Sequence, residues 1–440
     1  MNIILSNIDS RISNAKTLIR YFPIVLKKAK GCWVTDIDNN TYIDCISAAG
    51  ALPLGHNHEI FKKTLKSFID NDYPIQTMDL PSKLQDDFLN ELYDFVPNKF
   101  SDNAKIQVGS PSGADSVESA IKLCKIATGR ENIISFSGGY HGQTYGALSL
   151  SGRIQKIFPF NKMKNVDILP FIAENKNCDN KMKIEKNLLQ LEYFLSNSES
   201  TDKKPAAIIV EPIQGEAGIY PASYNWLKGI RYLTSKYDIP LIFDEIQSGF
   251  CRTGKHFAFE HYDIIPDVLC MAKALGGSMP LSAVMFNKNL DVWNEYNHAG
   301  TWRGNQLSFM SSIYTMQYMK KQQICNSINS NSNRFINLLN SLKNKYDIIR
   351  DIRYKGFMIA IEFINLPKLS SRNSGLYISS EMIAKNFQQN AFKNGLLLLR
   401  CGKSKNIIRI MPPLNTVGEE FEIIYDIIAK SLDETINKID

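Results

Sequence analysis

With 440 residues, 44% of them apolar and 22% charged, the chain is long enough for two lobes and ordinary in composition for a globular protein. Its formal charge is +7, but the lysines are spread without a basic tract interleaved with aromatics, which argues against a nucleic-acid partner and for a surface that favours anionic substrates. No apolar run is long enough to span a bilayer, and the start MNIILSNIDSRISNAK lacks a basic stretch followed by a long apolar core, so no membrane association and a cytoplasmic location are expected. The eight cysteines are scattered without a CxxC pair or metal-ligand spacing. They read as reduced thiols used as small core residues, and no metal site is expected.

Leu18-Ile19, Phe22 and Ile24-Val25 suggest a weak helix or lead-in segment. Trp33-Val34 and Tyr42-Ile43 flank the turn-rich Asp36-Ile37-Asp38-Asn39-Asn40, a hairpin signal. The small residues Ala48 to Ala51 and the run Leu54 to His58 suit a loop lying close to a ligand. Phe61, Leu65 and Phe68, then Leu84, Phe88, Leu92 and Phe95, recur at helical spacing. A short strand, Lys105–Val108, then leads through Gly109-Ser110-Pro111-Ser112-Gly113-Ala114-Asp115 into a helix. Strand, small-residue turn and helix N-terminus can hold a phosphate on free backbone N–H groups, although a plain tight turn has the same signature.

The strand Asn132–Phe136 runs into Gly138-Gly139-Tyr140-His141-Gly142, where Tyr140 serves either packing or the face of a planar ring. Residues 173–204 read as a surface helix on Leu188, Leu189, Leu191 and Phe194 with polar flanks, and hold no expected site residue. Ala206–Val210 is an apolar strand followed by Glu211 and Glu216, and Trp226 to Tyr237 is helical. Two buried strands follow. Leu241-Ile242-Phe243 ends in Asp244 and Glu245, and Asp267–Ala272 ends in Lys273 and Gly276-Gly277. An acid at one strand end and an amine at the other suit a protonated pyridine nitrogen and a Schiff base. Strands alternating with helices imply an α/β fold with a mainly parallel sheet covered on both faces, its ligand outside the strand carboxyl ends.

Beyond Lys273 come a strand, Leu281–Phe286, a polar loop, Gly300–Asn305, and a helix, Leu307–Met319. The pattern changes after about residue 320. A helix (Phe335–Leu342), a strand (Phe357–Phe363), a polar connection (368–376), a helix (Ser380–Lys393), strands at Leu396–Arg400 and Asn406–Met411, and a terminal helix from Glu419 read as a smaller αβ lobe.

With these pieces in order the chain resembles the class III, or ω-, aminotransferases, pyridoxal-phosphate enzymes of fold type I. The core of the likeness is LIFDEIQSGFCRTGKHFAFEHYDIIPDVLCMAKALGGSMP, where acid, glutamine, lysine and glycines fall in register. GSPSGADSVESAIKLCKIATGR, FSGGYHGQTYGALSLSG and AGTWRGNQLSF are similar to members that act on 2,4-diaminobutyrate and 2-oxoglutarate.

The resemblance implies a large domain with a mainly parallel seven-stranded sheet (71–318), a smaller C-terminal α+β domain (319–440), and an N-terminal segment (1–70) packing with the latter. It implies pyridoxal 5′-phosphate bound covalently through Lys273, with Asp244 on the pyridine nitrogen and Gln247 near the ring hydroxyl. Ser112, Gly113 and Ala114 would serve the phosphate, with Asp115 supporting that turn. Tyr140 would stack on the ring beside His141, and Thr301 would reach the phosphate of a neighbouring subunit, so that a homodimer, or a dimer of such dimers, completes the site. Arg409 would grip an α-carboxylate, Glu216 would mask an arginine while a distal amine is presented, and Gly50 belongs with the substrate residues.

Three positions depart from the family pattern: Ser278 and Asn39 replace glycines, and Trp302 replaces a phenylalanine. None removes a catalytic group. The implied activity moves the terminal amino group between L-2,4-diaminobutyrate and 2-oxoglutarate, with aspartate 4-semialdehyde and glutamate as the other partners. The alternatives are another ω-amino donor (4-aminobutyrate, ornithine or a diamine) and a glutamate-semialdehyde-type aminomutase.

Overall fold

A computed structural model describes residues 3–15, 21–152, 164–174, 181–196, 204–367 and 377–438. Its central sheet has seven strands, which we number β1 (Ala104–Val108), β2 (Asn132–Phe136), β3 (Val166–Leu169), β4 (Pro205–Val210), β5 (Leu241–Asp244), β6 (Val268–Met271) and β7 (Ala283–Asn287). They lie in the order β1-β7-β6-β5-β4-β2-β3. β7 runs antiparallel to both neighbours, and every other pairing is parallel.

Burial on both faces explains the composition of the middle strands. PAAIIV, LIFD and VLCM are buried at every position, as a parallel sheet between two helical layers requires. Successive side chains serve opposite layers. Ile209, Ile242, Val268 and Cys270 pack with Val117, Ala120, Ile121 and Cys124 of the helix Gly113–Thr128. Ile208, Leu241, Phe243, Leu269 and Met271 share the other core with Trp226, Leu227 and Ile230 of the helix Tyr224–Lys236.

The hairpin forms as expected, with Trp33 opposite Ile43 and Val34 opposite Tyr42. Asp36 closes its turn by accepting from the N–H groups of Asp38 and Asn40, the Asn40 amide and the Tyr42 hydroxyl. Asn39 sits at φ +66°, a left-handed conformation that asparagine tolerates better than most residues.

Beyond residue 320, Ile349–Lys355, Met358–Phe363, Ile407–Ile410 and Leu399–Cys401 form an antiparallel sheet. Helices Ile324–Lys345, Ser380–Lys393 and Gly418–Ile436 add Phe335, Leu339, Phe387 and Ile424 to the core shared with this sheet.

Several expectations change. Phe22 to Val25 are not helical and lead into a strand, Leu26–Lys30, while Leu18 and Ile19 lie outside the described residues. The helix expected at Phe335–Leu342 spans Ile324–Lys345. The run Leu396–Arg400 is two strands in different sheets. Leu396–Leu397 pairs in parallel with Thr41–Asp44, which ties the N-terminal segment to the C-terminal region, and Leu399–Cys401 pairs with Ile407–Ile410. A continuous apolar run carries no periodicity to mark such a crossing. The carbonyl of Leu398, between the two strands, accepts from the Gln388 amide at 2.7 Å, so the break leaves no orphaned acceptor there.

The surface helix is Lys181–Ser196. Its expected polar flanks (175–180 and 197–203) and the connection 368–376 fall outside the described residues. Among the described residues no helix is long and apolar enough to cross a membrane.

Candidate active site

The carboxyl ends of β4, β5 and β6 open into a cavity of about 660 Å³. Ser112, Gly113, Ala114, Tyr140, His141, Glu216, Asp244, Gln247 and Lys273 all line it. Asp244 is the last residue of β5, and Lys273 stands just past β6 with φ +50°. A non-glycine residue held there is strained, which the packing around it must sustain. Gly277, at φ +59°, follows the same turn, where a Cβ would come within 2.5 Å of the Ser311 carbonyl oxygen. Ser278 adopts φ +90° and reaches the cavity wall.

The acid is held from two sides. Oδ2 of Asp244 lies 2.8 Å from Nδ1 of His141, and Oδ1 accepts the Ile246 N–H at 3.1 Å. Burial opposes protonation of His141, but the hydrogen bond and charge of Asp244, with Glu211 beyond, raise its pKa above the ordinary histidine value. Glu211 caps this buried chain. Its two oxygens accept the N–H groups of Tyr140 (2.8 Å) and Gly215 (3.0 Å), and burial pushes its pKa up to about 7 against the pull of His141. Sequence reasoning places Glu211 at a strand end and gives it no role. The signal, an apolar strand ending in a carboxylate, is the same one that marks Asp244.

The amine is tuned in the opposite sense. Burial lowers the Lys273 pKa, Arg409 adds to the lowering, and Glu216, Asp244 and Glu211 offset part of it. A lysine poised this way is more often neutral and nucleophilic.

Ser112 caps the helix Gly113–Thr128, its Oγ accepting the Ala114 N–H. The helix N-terminus, with its partial positive charge, therefore borders the cavity. Asp115 supports the turn by accepting the Ser110 N–H at 2.7 Å and pairing with His298 at 3.3 Å. Side-chain atoms of Ile246 and Ala272 lie 3.1–3.3 Å from where a Cβ on Gly113 would stand.

Glu216 and Arg409 form an ion pair. Glu216 borders the cavity, and Arg409, 4% exposed in its side chain, stands behind it on the strand Ile407–Ile410. Burial opposes the charge of Arg409, and Glu216 more than restores it. Gly50 stands off the wall at φ +94°, where a Cβ would touch Met411 at 3.2 Å. It ends a left-handed turn in which Ser47, Ala48 and Ala49 also have positive φ (46°, 48° and 58°). Asp44 holds that turn through the N–H groups of Ile46 and Ser47 and is itself paired with His56. Gln247 donates to the Ala49 carbonyl at 3.1 Å, while its buried Oε1 has no partner among the described residues. Thr301 is not on this wall. It is exposed, and its carbonyl accepts from Gln76 at 2.6 Å.

These residues fit a flat ring with a basic nitrogen, an electrophilic carbonyl and a phosphate tail. A buried carboxylate, a burial-tuned amine and a helix N-terminus surround one cavity, and the unpaired Gln247 oxygen is an unmet polar atom beside it. Chemically, the set can hold such a group and move a proton at the lysine.

Comparison with known proteins agrees. Residues 15–432 match the family model described as Aminotransferase class-III. The chain is 39% identical over 419 residues to a diaminobutyrate–2-oxoglutarate aminotransferase of Haemophilus influenzae, covering 94% of this chain and 91% of that one. It is 36% identical over 429 residues to the protein of that name from Rhizobium meliloti, covering 97% and 91%. Among solved structures, an acetylornithine aminotransferase from Elizabethkingia anophelis superposes with a TM-score of 0.77 at 27% identity over 98% of both chains. A transaminase from a marine Virgibacillus superposes at 0.86 with 19% identity over 100% of both, a likeness of fold. The chain belongs to the class III aminotransferase family of pyridoxal-phosphate enzymes.

Proposed function

We propose that this transaminase moves the terminal amino group of L-2,4-diaminobutyrate to 2-oxoglutarate, giving aspartate 4-semialdehyde and glutamate, or runs that reaction in reverse. The names of the two most similar relatives described above support the donor. The observation that carries the reading is the Glu216–Arg409 pair beside Lys273. A site that must accept first a distal amine with no carboxylate at the reacting carbon, and then an α-keto acid with one, needs an arginine that can be masked and released.

Pyridoxal phosphate, when bound, supplies the carbonyl that takes up the amine and the ring that stores the electron pair. The chain does the rest. Lys273 holds the cofactor and afterwards carries a proton at Nζ to and from the reacting carbon. Asp244, fixed by His141 and the Ile246 N–H, keeps the ring nitrogen protonated. Ser112, Gly113 and Ala114 hold the phosphate, Gln247 serves the ring oxygen and Tyr140 serves the ring face. Arg409 binds the α-carboxylate of 2-oxoglutarate once Glu216 turns away, and Gly50 leaves room beside Gln247.

The working unit in this reading is a homodimer, each chain divided near residues 70 and 318. Gln76 ties its loop to the loop of Thr301, and Ile75, Met78, Leu80 and Trp302 leave large apolar side chains exposed on the two. Thr301 then serves a neighbour's phosphate. Sedimentation of wild type and Trp302→Glu tests this: a dimer and a monomer are expected, and a wild-type monomer with full activity contradicts it. For the donor, initial rates with diaminobutyrate, ornithine and 4-aminobutyrate at fixed 2-oxoglutarate decide. The largest kcat/KM is expected for diaminobutyrate, and a tenfold preference for another donor would replace it.

A further inference from the structure

The turn after β5 brings two thiols together. Sγ of Cys251 lies 2.8 Å from Sγ of Cys325. Cys251 is buried, and both it (φ +67°) and Phe250 (φ +55°) are held in the left-handed region, where non-glycine residues stay only under the constraint of their surroundings. Cys325 lies in the first turn of the helix Ile324–Lys345 and is half-buried, so reagents reach it first. The other described cysteines (Cys32, Cys45, Cys124, Cys270 and Cys401) are all buried.

His256 completes the group, with its ligand atom and the two sulfurs all within 4.8 Å of one another. Its ring stacks on Phe95 with centroids 4.3 Å apart, and Nδ1 donates to the Phe95 carbonyl at 2.9 Å. Nε2 is thereby left as the basic nitrogen of the neutral ring. The His256 carbonyl accepts the Cys251 N–H at 3.1 Å, which fixes the turn.

We propose that Cys251 and Cys325 are a redox pair that closes reversibly to a disulfide when the enzyme meets a peroxide. The Cys325 thiolate attacks one peroxide oxygen, the O–O bond breaks, and a sulfenic acid and one water result. Cys251 then loses its proton and attacks the Cys325 sulfur. The S–O bond breaks and a second water leaves. Two thiols give two electrons and two protons, and one hydrogen peroxide becomes two waters. The order follows from access and from the Cys251 thiol, whose pKa its hydrogen bond with Cys325 and its burial raise.

Metal binding is the competing use of such a cluster. Two thiolates on one zinc ion stand about 3.8 Å apart at ordinary bond lengths, so these sulfurs would have to separate. Bond formation needs them to approach only to about 2.05 Å.

The bond would join the turn after β5 to the helix Ile324–Lys345. Arg252, next in the chain, donates to the Pro412 carbonyl at 2.6 Å and accepts the Phe357 N–H at 2.9 Å through its own carbonyl. Asn329, one turn beyond Cys325, donates to the Gly254 carbonyl at 2.9 Å. The turn therefore touches both the helix and the C-terminal sheet that carries Arg409, and oxidation would staple it to the helix.

The test treats the holoenzyme with a small excess of hydrogen peroxide and follows intact mass, with peptide mapping before and after dithiothreitol. The expected result is loss of the mass of two hydrogen atoms, a cross-linked peptide pair containing Cys251 and Cys325, and full reversal by the thiol. In Cys251→Ser the cross-link is absent and Cys325 instead adds oxygen, or adds glutathione when glutathione disulfide is the oxidant. Three results overturn the proposal: both cysteines still alkylated by iodoacetamide in the peroxide-treated protein, Cys325 oxidised to the sulfinic acid with Cys251 free in wild type, or stoichiometric zinc on the purified protein whose removal by chelator is needed before either thiol reacts.

Discussion

Nδ1 of His141 and Oδ2 of Asp244 stand 2.8 Å apart with both side chains buried. His141 turns a carboxylate at a strand end into an anchored one, and the hydrogen bond and charge of Asp244 in turn raise the pKa of the ring. Replacing Asp244 by Asn should lower kcat by roughly 10²–10³-fold with the fold intact, the range for loss of one preorganised charge at a reacting centre. His141→Ala should cost about 10-fold, the worth of one charge-assisted hydrogen bond. Steady-state kinetics with circular dichroism as a fold control checks both, and equal losses would argue against an indirect role for His141.

Arg409 and Glu216 should separate the two halves of the reaction. Arg409→Ala should cut the rate of the 2-oxoglutarate half by about 10²-fold or more, given roughly 2–5 kcal/mol for truncating one member of a buried charge pair, and the donor half by much less. Glu216→Gln unmasks the arginine, so 2-oxoglutarate should bind more tightly while the diamine donor loses rate. Single-turnover measurements of each half resolve this, and equal effects on both halves contradict a masking role.

Glu245 ties stability to pH. It is buried and accepts from Ala258 N–H, Phe259 N–H and the Ser248 hydroxyl, and burial nevertheless raises its pKa from 4.5 to about 8. A raised acid favours the folded state fully below its ordinary value and loses that contribution as pH climbs through the folded one. Stability should therefore fall between about pH 5 and 8, by on the order of 4 kcal/mol from this group. Glu211 titrates with the same sign in the same window. Urea unfolding of wild type and Glu245→Gln across this range isolates the Glu245 share, and unchanged slopes would contradict the assignment.

Gly356 is held at φ +54° with the Arg252 carbonyl oxygen 2.6 Å from where a Cβ would stand, whereas a Cβ on Gly129, at φ +66°, would meet nothing within 4 Å among the described residues. Both substitutions to Ala strain the backbone, but only the first also collides. Gly129→Ala should cost about 1 kcal/mol and Gly356→Ala roughly 2–4 kcal/mol. Denaturant midpoints measure the difference.

The residues at strand ends were legible because a buried parallel strand is apolar on both faces, so a charge at its carboxyl end stands out. That pattern exposes Asp244, Lys273 and Glu211 alike, but only family likeness separates their roles. The left-handed turn Ser47–Gly50 was not legible beyond its small residues, since it is held by Asp44 and Gln247 from elsewhere in the chain. The break at Leu398 is hidden for a different reason: an all-apolar segment does not show which of two sheets takes each residue. Nor does spacing reveal that Cys251 meets Cys325, because that contact depends on where a long helix begins.

The most direct test of transamination at Lys273 is glutamate production by purified protein supplied with pyridoxal phosphate, L-2,4-diaminobutyrate and 2-oxoglutarate, with Lys273→Ala alongside. Wild type should form one glutamate for each diaminobutyrate consumed, and the variant should form none above background while keeping its folded spectrum. No glutamate from wild type with diaminobutyrate or any other ω-amino donor, or undiminished turnover by Lys273→Ala, would contradict the account.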